Sequence, residues 1–200
     1  MKRLLFDVST NVMYVAYTRN DDIRDFSIRI AKRDHAKYLV DRIDNLLKRN
    51  RITLDDIEEI IIGIGPGSYT GIRIAVMVGK MLSYTKNIPL KTVSSLLFMT
   101  SGYKQRVAAM MDARRGNVFS AIYEHGECIL EDALRPLKTF AQTEAYKDAE
   151  QIFIDDMSYE IDPLVIIEKA VLVEDVHRLV PNYLRKTEAE INHDQKHNDA

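Results

Sequence analysis

Cys128 is the only cysteine in 200 residues. No disulfide can form within the chain, which suits a reducing compartment. Excess charge of one sign is also missing. Lys and Arg number 28 against 30 Asp and Glu, for a net charge of −2. No global field therefore draws the chain to nucleic acid or to a membrane surface, although a local basic patch stays open. Long apolar runs are absent too, and none approaches the ~20 residues of a membrane span. The N-terminus runs straight into Leu4-Leu5-Phe6 and then Asp7, without the pattern of a secretory leader. These absences predict a soluble, cytoplasmic protein with no membrane contact. Hydrophobic residues make up 46% of the chain. That is enough for a sizeable core in one large domain or two small lobes.

Periodicity supplies the elements. Leu4 to Phe6 and Val12 to Tyr17 read as buried strands, and Arg24 to Ile30 alternates with Phe26, Ile28 and Ile30 on one face. A helix over 34–49 follows, capped by Asp34, with Leu39, Ile43, Leu46 and Leu47 as its stripe. Ile57 to Ile64 reads as a strand, Tyr69 to Tyr84 as a helix, and Thr92-Val93-Ser94-Ser95 as the cap of another short helix. Gln151 to Asp155 and Val165 to Glu168 add a strand and a helix.

The two halves begin alike. Phe6-Asp7 is followed by Tyr14-Val15-Ala16-Tyr17, and Met111-Asp112 by Phe119-Ser120-Ala121-Ile122 at equal spacing. Turns follow at Asn20-Asp21 and His125-Gly126. The match predicts two related α/β lobes, residues 1–101 and a smaller 102–186, joined near Ser101-Gly102. A polar tail, 187–200, completes the chain.

Gly65-Pro66-Gly67-Ser68-Tyr69-Thr70-Gly71 joins the strand to the helix at 69–84. It lacks the Lys-Ser/Thr pair of a Walker loop and the third glycine of a dinucleotide fingerprint. A capped turn needing positive φ at a glycine is one reading. A phosphate cradle at a helix N-terminus is the other. The helix itself has two apolar arcs. Gly71, Ala75, Gly79 and Ser83 fill one with Ile72, Val76 and Leu82, while Ile74, Met77, Val78 and Met81 fill the opposite side. The bulky arc suits the sheet and the small-residue arc suits close approach of a partner helix. The expected interface is therefore Ile72, Ala75, Val76, Gly79 and Ser83, with Arg73 in the polar strip beside them.

Other candidates divide between chemistry and turns. Asp7 and Asp112, at strand ends, could hold a nucleotide-bound metal or cap their own turns. Arg114-Arg115 could grip phosphate or carboxylate, or form a solvated turn. His193 and His197 have metal spacing but sit in the polar tail. No Ser-His-Asp set is arguable, and Cys128 reads as a small core residue. No catalytic residue and no metal site are assigned.

Several segments together resemble the TsaB (YeaZ) family. They are Leu4-Leu5-Phe6-Asp7-Val8-Ser9-Thr10, Gly65 to Ile74, Thr92 to Leu96, Met111 to Phe119 and Pro181-Asn182-Tyr183-Leu184-Arg185. They are collinear and span most of the chain. Ala75 stands where the family usually has glycine, and about 140–169 departs from its pattern. The resemblance implies an α/β fold of the actin/Hsp70/sugar-kinase (ASKHA) type with two ribonuclease-H-like lobes. It implies a non-catalytic scaffold in making threonylcarbamoyladenosine beside the tRNA anticodon. The implied partners are the transferase TsaD, reached through first-lobe helices, and the ATPase TsaE, with tRNA met through the complex. Alone, such proteins form homodimers. No cofactor is implied for the chain itself, while ATP or ADP enters at the level of the complex. Asp7, Ser9, Asp112 and Arg114 would border a vestigial nucleotide cleft. The rival is an enzyme of the same fold, glycoprotease-like or nucleotide-hydrolysing.

Overall fold

A computed structural model describes residues 1–31 and 35–185. The expected cap Asp34, the histidines His193 and His197, and the tail 187–200 lie outside the described residues. The first three strands form a meander: β1 (Lys2–Asp7), β2 (Val12–Arg19) and β3 (Asp22–Ile30). Alternation on β1 sends Leu4 and Phe6 to one face and Leu5 to the other, so both faces of the sheet must be covered. Helix α1 (His35–Arg49) lays Leu39, Ile43, Leu46 and Leu47 on the first face. Strand β4 (Glu59–Gly63) returns parallel to β1. Helix α2 (Tyr69–Lys86) then crosses back to β5 (Leu90–Val93), parallel to β4.

Helix α3 (Ser95–Thr100), capped by Ser94, is buried throughout. It leads to the second sheet of β6 (Val107–Asp112), β7 (Asn117–Glu124) and β8 (Glu127–Pro136). Short helices α4 (Leu137–Phe140) and α5 (Glu144–Lys147) cover its outer face, and β9 (Glu150–Phe153) pairs parallel to β6. Helix α6 (Pro163–Lys169) and the two-residue strand β10 (Val171–Leu172) end the regular structure.

The sheets read β10-β5-β4-β1-β2-β3 and β8-β7-β6-β9. An antiparallel meander followed by a parallel crossover occurs in each, which is the ribonuclease-H-like plan. The chain thus has the ASKHA fold, with a smaller second lobe. The duplication is visible at the turns. Asn20 and Asp21 have φ of 52° and 73°, and His125 and Gly126 have 50° and 79°. The register is offset by one residue, because Asp7 faces Tyr14 whereas Asp112 faces Val118. Strand β8, ten residues long with mixed exposure, gave no clear period in the sequence.

The lobes are not separable at residue 101. One core cluster joins Leu5 and Ile61 of the first sheet to Ala109 and Ala121 of the second through α3. Strand β10 pairs with β5 of the first lobe, so 102–186 does not form one unit. Beyond it, Val173, Val176 and Leu179 pack on the first-lobe core. Lys80 on α2 donates to the carbonyls of His177 and Leu179 at 2.8 and 3.1 Å. The Asn182 amide donates to Ile64, and Arg185 to the Ala113 carbonyl on the second lobe at 2.6 Å. Residues 171–185 are therefore a strap across both lobes.

A second tie links Tyr123 of β7 to Asp132 of β8 at 2.7 Å and to the α3 cap Ser94 at 3.1 Å. Burial raises the Asp132 carboxyl above its usual range; hydrogen bonds from Ser94 and Tyr123 offset only part of that. The folded state therefore binds a proton here more readily than the unfolded chain, and the charged form costs stability above the folded pKa. Asp132→Asn removes that cost. The stability difference, Asn variant minus wild type, is expected to be more favourable at pH 7 than near pH 4, as read from urea midpoints at both. A pH-independent difference would contradict it. None of the described helices is long and apolar enough to cross a membrane.

Candidate functional site

Two regions gather the residues singled out above. The first is a cleft of about 960 Å³ between the α2 N-terminus, the turn after β6, and the strap. Ser9, Asp112 and Arg114 line it. The glycine turn enters the cleft because Gly65 and Gly67 hold φ of 108° and 155°, within the range that disfavours side chains. Ser68 caps α2 by accepting the Gly71 amide at 3.3 Å. The capped-turn reading of this segment is thus realised, and the cleft puts it beside Arg114.

Asp7 is not on the cleft wall. It is fully buried, and its Oδ1 accepts the Ser9 amide at 2.7 Å and the Ser9 hydroxyl at 2.6 Å. Its Oδ2 accepts the Ser95 hydroxyl at 2.5 Å, and Ser95 Oγ accepts the Gly65 amide at 2.9 Å. The expectation that Asp7 borders a nucleotide is corrected: its carboxylate is consumed in joining β1 to the glycine turn. Asp112 repeats the turn, accepting the Arg114 amide at 2.8 Å, but is exposed. Asp7→Ala leaves the Ser9 amide and two hydroxyls without this acceptor. The expected loss is about 2–4 kcal/mol of unfolding free energy. Chemical denaturation measures it, and a loss below about 1 kcal/mol contradicts the assignment.

The second region is α2. Here the small-residue arc faces inward. Ile72, Ala75, Val76 and Ser83 are buried, as is Gly79. A Cβ on Gly79 would lie 3.1 Å from Ile62 Cδ1 and 3.4 Å from Leu90 Cδ1. The expected contact ridge is therefore corrected: these residues let the helix approach its own sheet. Of that set only Arg73 is exposed. The bulky arc divides. Ile74 and Val78 are buried in the core beside α1, while Met77 and Met81 face outward, 63% and 46% exposed. With Tyr69, Arg73 and Tyr84 they form a strip at helical spacing of three and four residues. Its edges are ordered by the strap. Tyr69 stacks on Tyr183 at 5.1 Å and Tyr84 meets His177 at 4.8 Å. The Arg73 guanidinium lies over Tyr69 and donates to its hydroxyl at 3.2 Å.

Helical period finds both arcs in the sequence, but the expected assignment of the bulky arc to the sheet is reversed in the structure, because period alone does not decide which arc the sheet takes. Tyr183 and Arg185, far along the chain, carried no local signal of their place beside α2 and the cleft. Cys128 is exposed rather than in the core. Partial desolvation of the sulfur at this exposed position, with Asp132 and Glu131 nearby, raises its thiol pKa, which disfavours the nucleophilic thiolate. Among the described residues no three His, Cys, Asp or Glu side chains converge to hold a metal ion.

The two-lobed plan has counterparts among known proteins. The family model described as "TsaD: tRNA N6-adenosine threonylcarbamoyltransferase" matches residues 28–157, and the chain belongs to that family. Within it, the chain groups with the TsaB (YeaZ) proteins. It is 28% identical over 221 residues to the Bacillus subtilis (strain 168) protein named tRNA threonylcarbamoyladenosine biosynthesis protein TsaB, covering 95% of this chain and 96% of that one. The protein of that name from Escherichia coli (strain K12) is 31% identical over 132 residues, 64% of this chain and 57% of its own length. The solved structure of YeaZ from Pseudomonas aeruginosa superposes with a TM-score of 0.75 at 24% identity, over 92% of this chain and 99% of that one. That superposition supports the fold.

Proposed function

We propose that this chain is a non-catalytic subunit for tRNA threonylcarbamoyladenosine biosynthesis, and that it docks the transferase TsaD through the outward strip of α2. The observation that carries the reading is the pair Met77 and Met81, exposed between Tyr69 and Tyr84 on a helix already packed on its other faces. Aromatic and Met side chains beside an Arg have the composition of an interface centre. Met adapts to an uneven partner surface, and the stacked tyrosines are held before contact. The family relation supports the choice of partner. In this reading the chain works in the cytoplasm, TsaE joins the assembled pair, and tRNA is met through the complex. The chain needs no cofactor of its own, and ATP or ADP acts in the assembly.

Mixing the purified chain with TsaD and weighing the complex in solution, with and without ATP, tests the reading. A mass equal to one copy of each is expected. Two separate species at all concentrations would overturn it. The cleft beside Ser9, Asp112 and Arg114 leaves nucleotide binding as a second reading. Calorimetric titration of the chain alone with ATP distinguishes a retained site from one that acts only in the complex.

A further inference from the structure

Sulfur is carried by eight methionines and one cysteine, and the fold sorts them. Met13, Met99, Met110 and Met111 are buried in the sheet cores. Reagents in solution do not reach them while the chain is folded. Cys128 is exposed, but its raised pKa keeps the thiol protonated and slow to react. The accessible thioethers are Met1 at the N-terminus, Met157 after β9, and the α2 pair Met77 and Met81.

A thioether has no proton to lose and reacts with a hydroperoxide as it stands, so access decides which methionine is oxidised. The sulfur lone pair attacks one peroxide oxygen, an S–O bond forms and the O–O bond breaks. The other oxygen leaves as water from hydrogen peroxide, or as an alcohol from an organic hydroperoxide. Sulfur loses two electrons and the peroxide gains them. The sulfoxide can be reduced again by two reductases, one for each sulfur epimer.

At residues 77 and 81 this product changes the character of the strip. An apolar, adaptable side chain becomes a polar one with a strong acceptor oxygen. Covered by a partner, that oxygen is buried without a donor, which weakens association. Arg73 adds a second effect. Its guanidinium rests over Tyr69, one turn before it, and Met77 lies one turn after it on the same helix face. A sulfoxide at Met77 gives the guanidinium an acceptor on that side and draws it off the tyrosine. Helix α2 carries no acidic side chain to compete for it. The core side of the helix, with Ile74, Val78 and Leu82, is untouched. We propose that Met77 and Met81 are modification sites, at which oxidation by a hydroperoxide reversibly switches off partner docking. This rests on the reading that α2 docks TsaD.

The test treats the chain alone with hydrogen peroxide to partial conversion, removes the peroxide with catalase, and then adds TsaD. Peptide mass mapping reads the sulfoxide at each methionine in the bound and free fractions. Sulfoxide at Met77 and Met81 is expected to be enriched at least about 10-fold in the free fraction. Sulfoxide at Met157, which is 85% exposed and lies after β9 of the second sheet, is expected equally in both. Treating the oxidised chain with both reductases before TsaD is added is expected to restore binding. The inference is overturned if Met77 and Met81 stay unoxidised when Met157 is fully converted. An even distribution of their sulfoxides between the fractions overturns it too, as does binding that the reductases do not restore. An untreated chain that fails to bind TsaD is a different result: it overturns the docking reading itself, and this inference with it.

Discussion

Replacing Met77 and Met81 together by glutamate is expected to abolish binding of TsaD while leaving the fold intact. Both side chains are exposed in the isolated chain, so their removal opens no cavity. Met and Glu have similar helix propensities, and neither new carboxylate would disturb the buried arc. Surface changes of this kind stay within about 0.5 kcal/mol of the starting stability. In the complex the same positions would be desolvated. Two carboxylates left there without partners should weaken affinity by roughly 100-fold or more, the range of a central interface residue or above. Titration calorimetry or sedimentation with TsaD reads the loss, and the thermal midpoint reads the fold. Unchanged affinity would remove α2 from the interface. The contrasting substitution, Gly79→Leu, crowds Ile62 and Leu90 beneath the helix, so it reports packing rather than docking.

Gly71→Ala is expected to lower stability by at least about 3 kcal/mol, at the upper end of overpacking penalties. A Cβ at Gly71 would lie 1.9 Å from the Val8 carbonyl oxygen. That oxygen belongs to the backbone turn after β1, so no side-chain rotation can relieve the clash. The first turn of α2 and the turn held by Asp7 must move apart, and the Ser9 carbonyl bond to the Ser68 amide moves with them. Gly116→Ala is the control. Its Cβ would meet nothing within 4 Å, and the cost comes only from its φ of +76°, about 1 kcal/mol. Urea denaturation of the two variants separates close approach from backbone preference. Equal losses would mean that the approach at Gly71 is not what selects glycine.

The sequence carried most of the fold because its local signals agreed. The apolar run Leu4–Phe6, the stripe of α1, and the capped starts of α2 and α3 each mark an element that formed where expected. Repetition of Asp7 and Asp112 marked the two lobes. Where the reading failed, the missing information was non-local. The two arcs of α2 look equally apolar, and only the distance to Ile62 decides that the small one faces the sheet. Asp7 reads like a ligand until Ser95, 88 residues away, is placed against it. Phe26, Ile28 and Ile30 have the alternation of core residues, yet no element lies over enough of that face to bury them. Periodicity tells which side chains point the same way and is silent about what they meet.

The strap also fixes the order in which this molecule can be finished during synthesis. Strand β5 lacks its outer neighbour until residues 171–172 leave the ribosome, and α2 lacks one flank until His177 and Tyr183 follow. The first lobe, although encoded first, is sealed last. A nascent chain halted after the second sheet would carry an open strand edge and a half-covered helix, surfaces that chaperones recognise and that aggregate when left unattended.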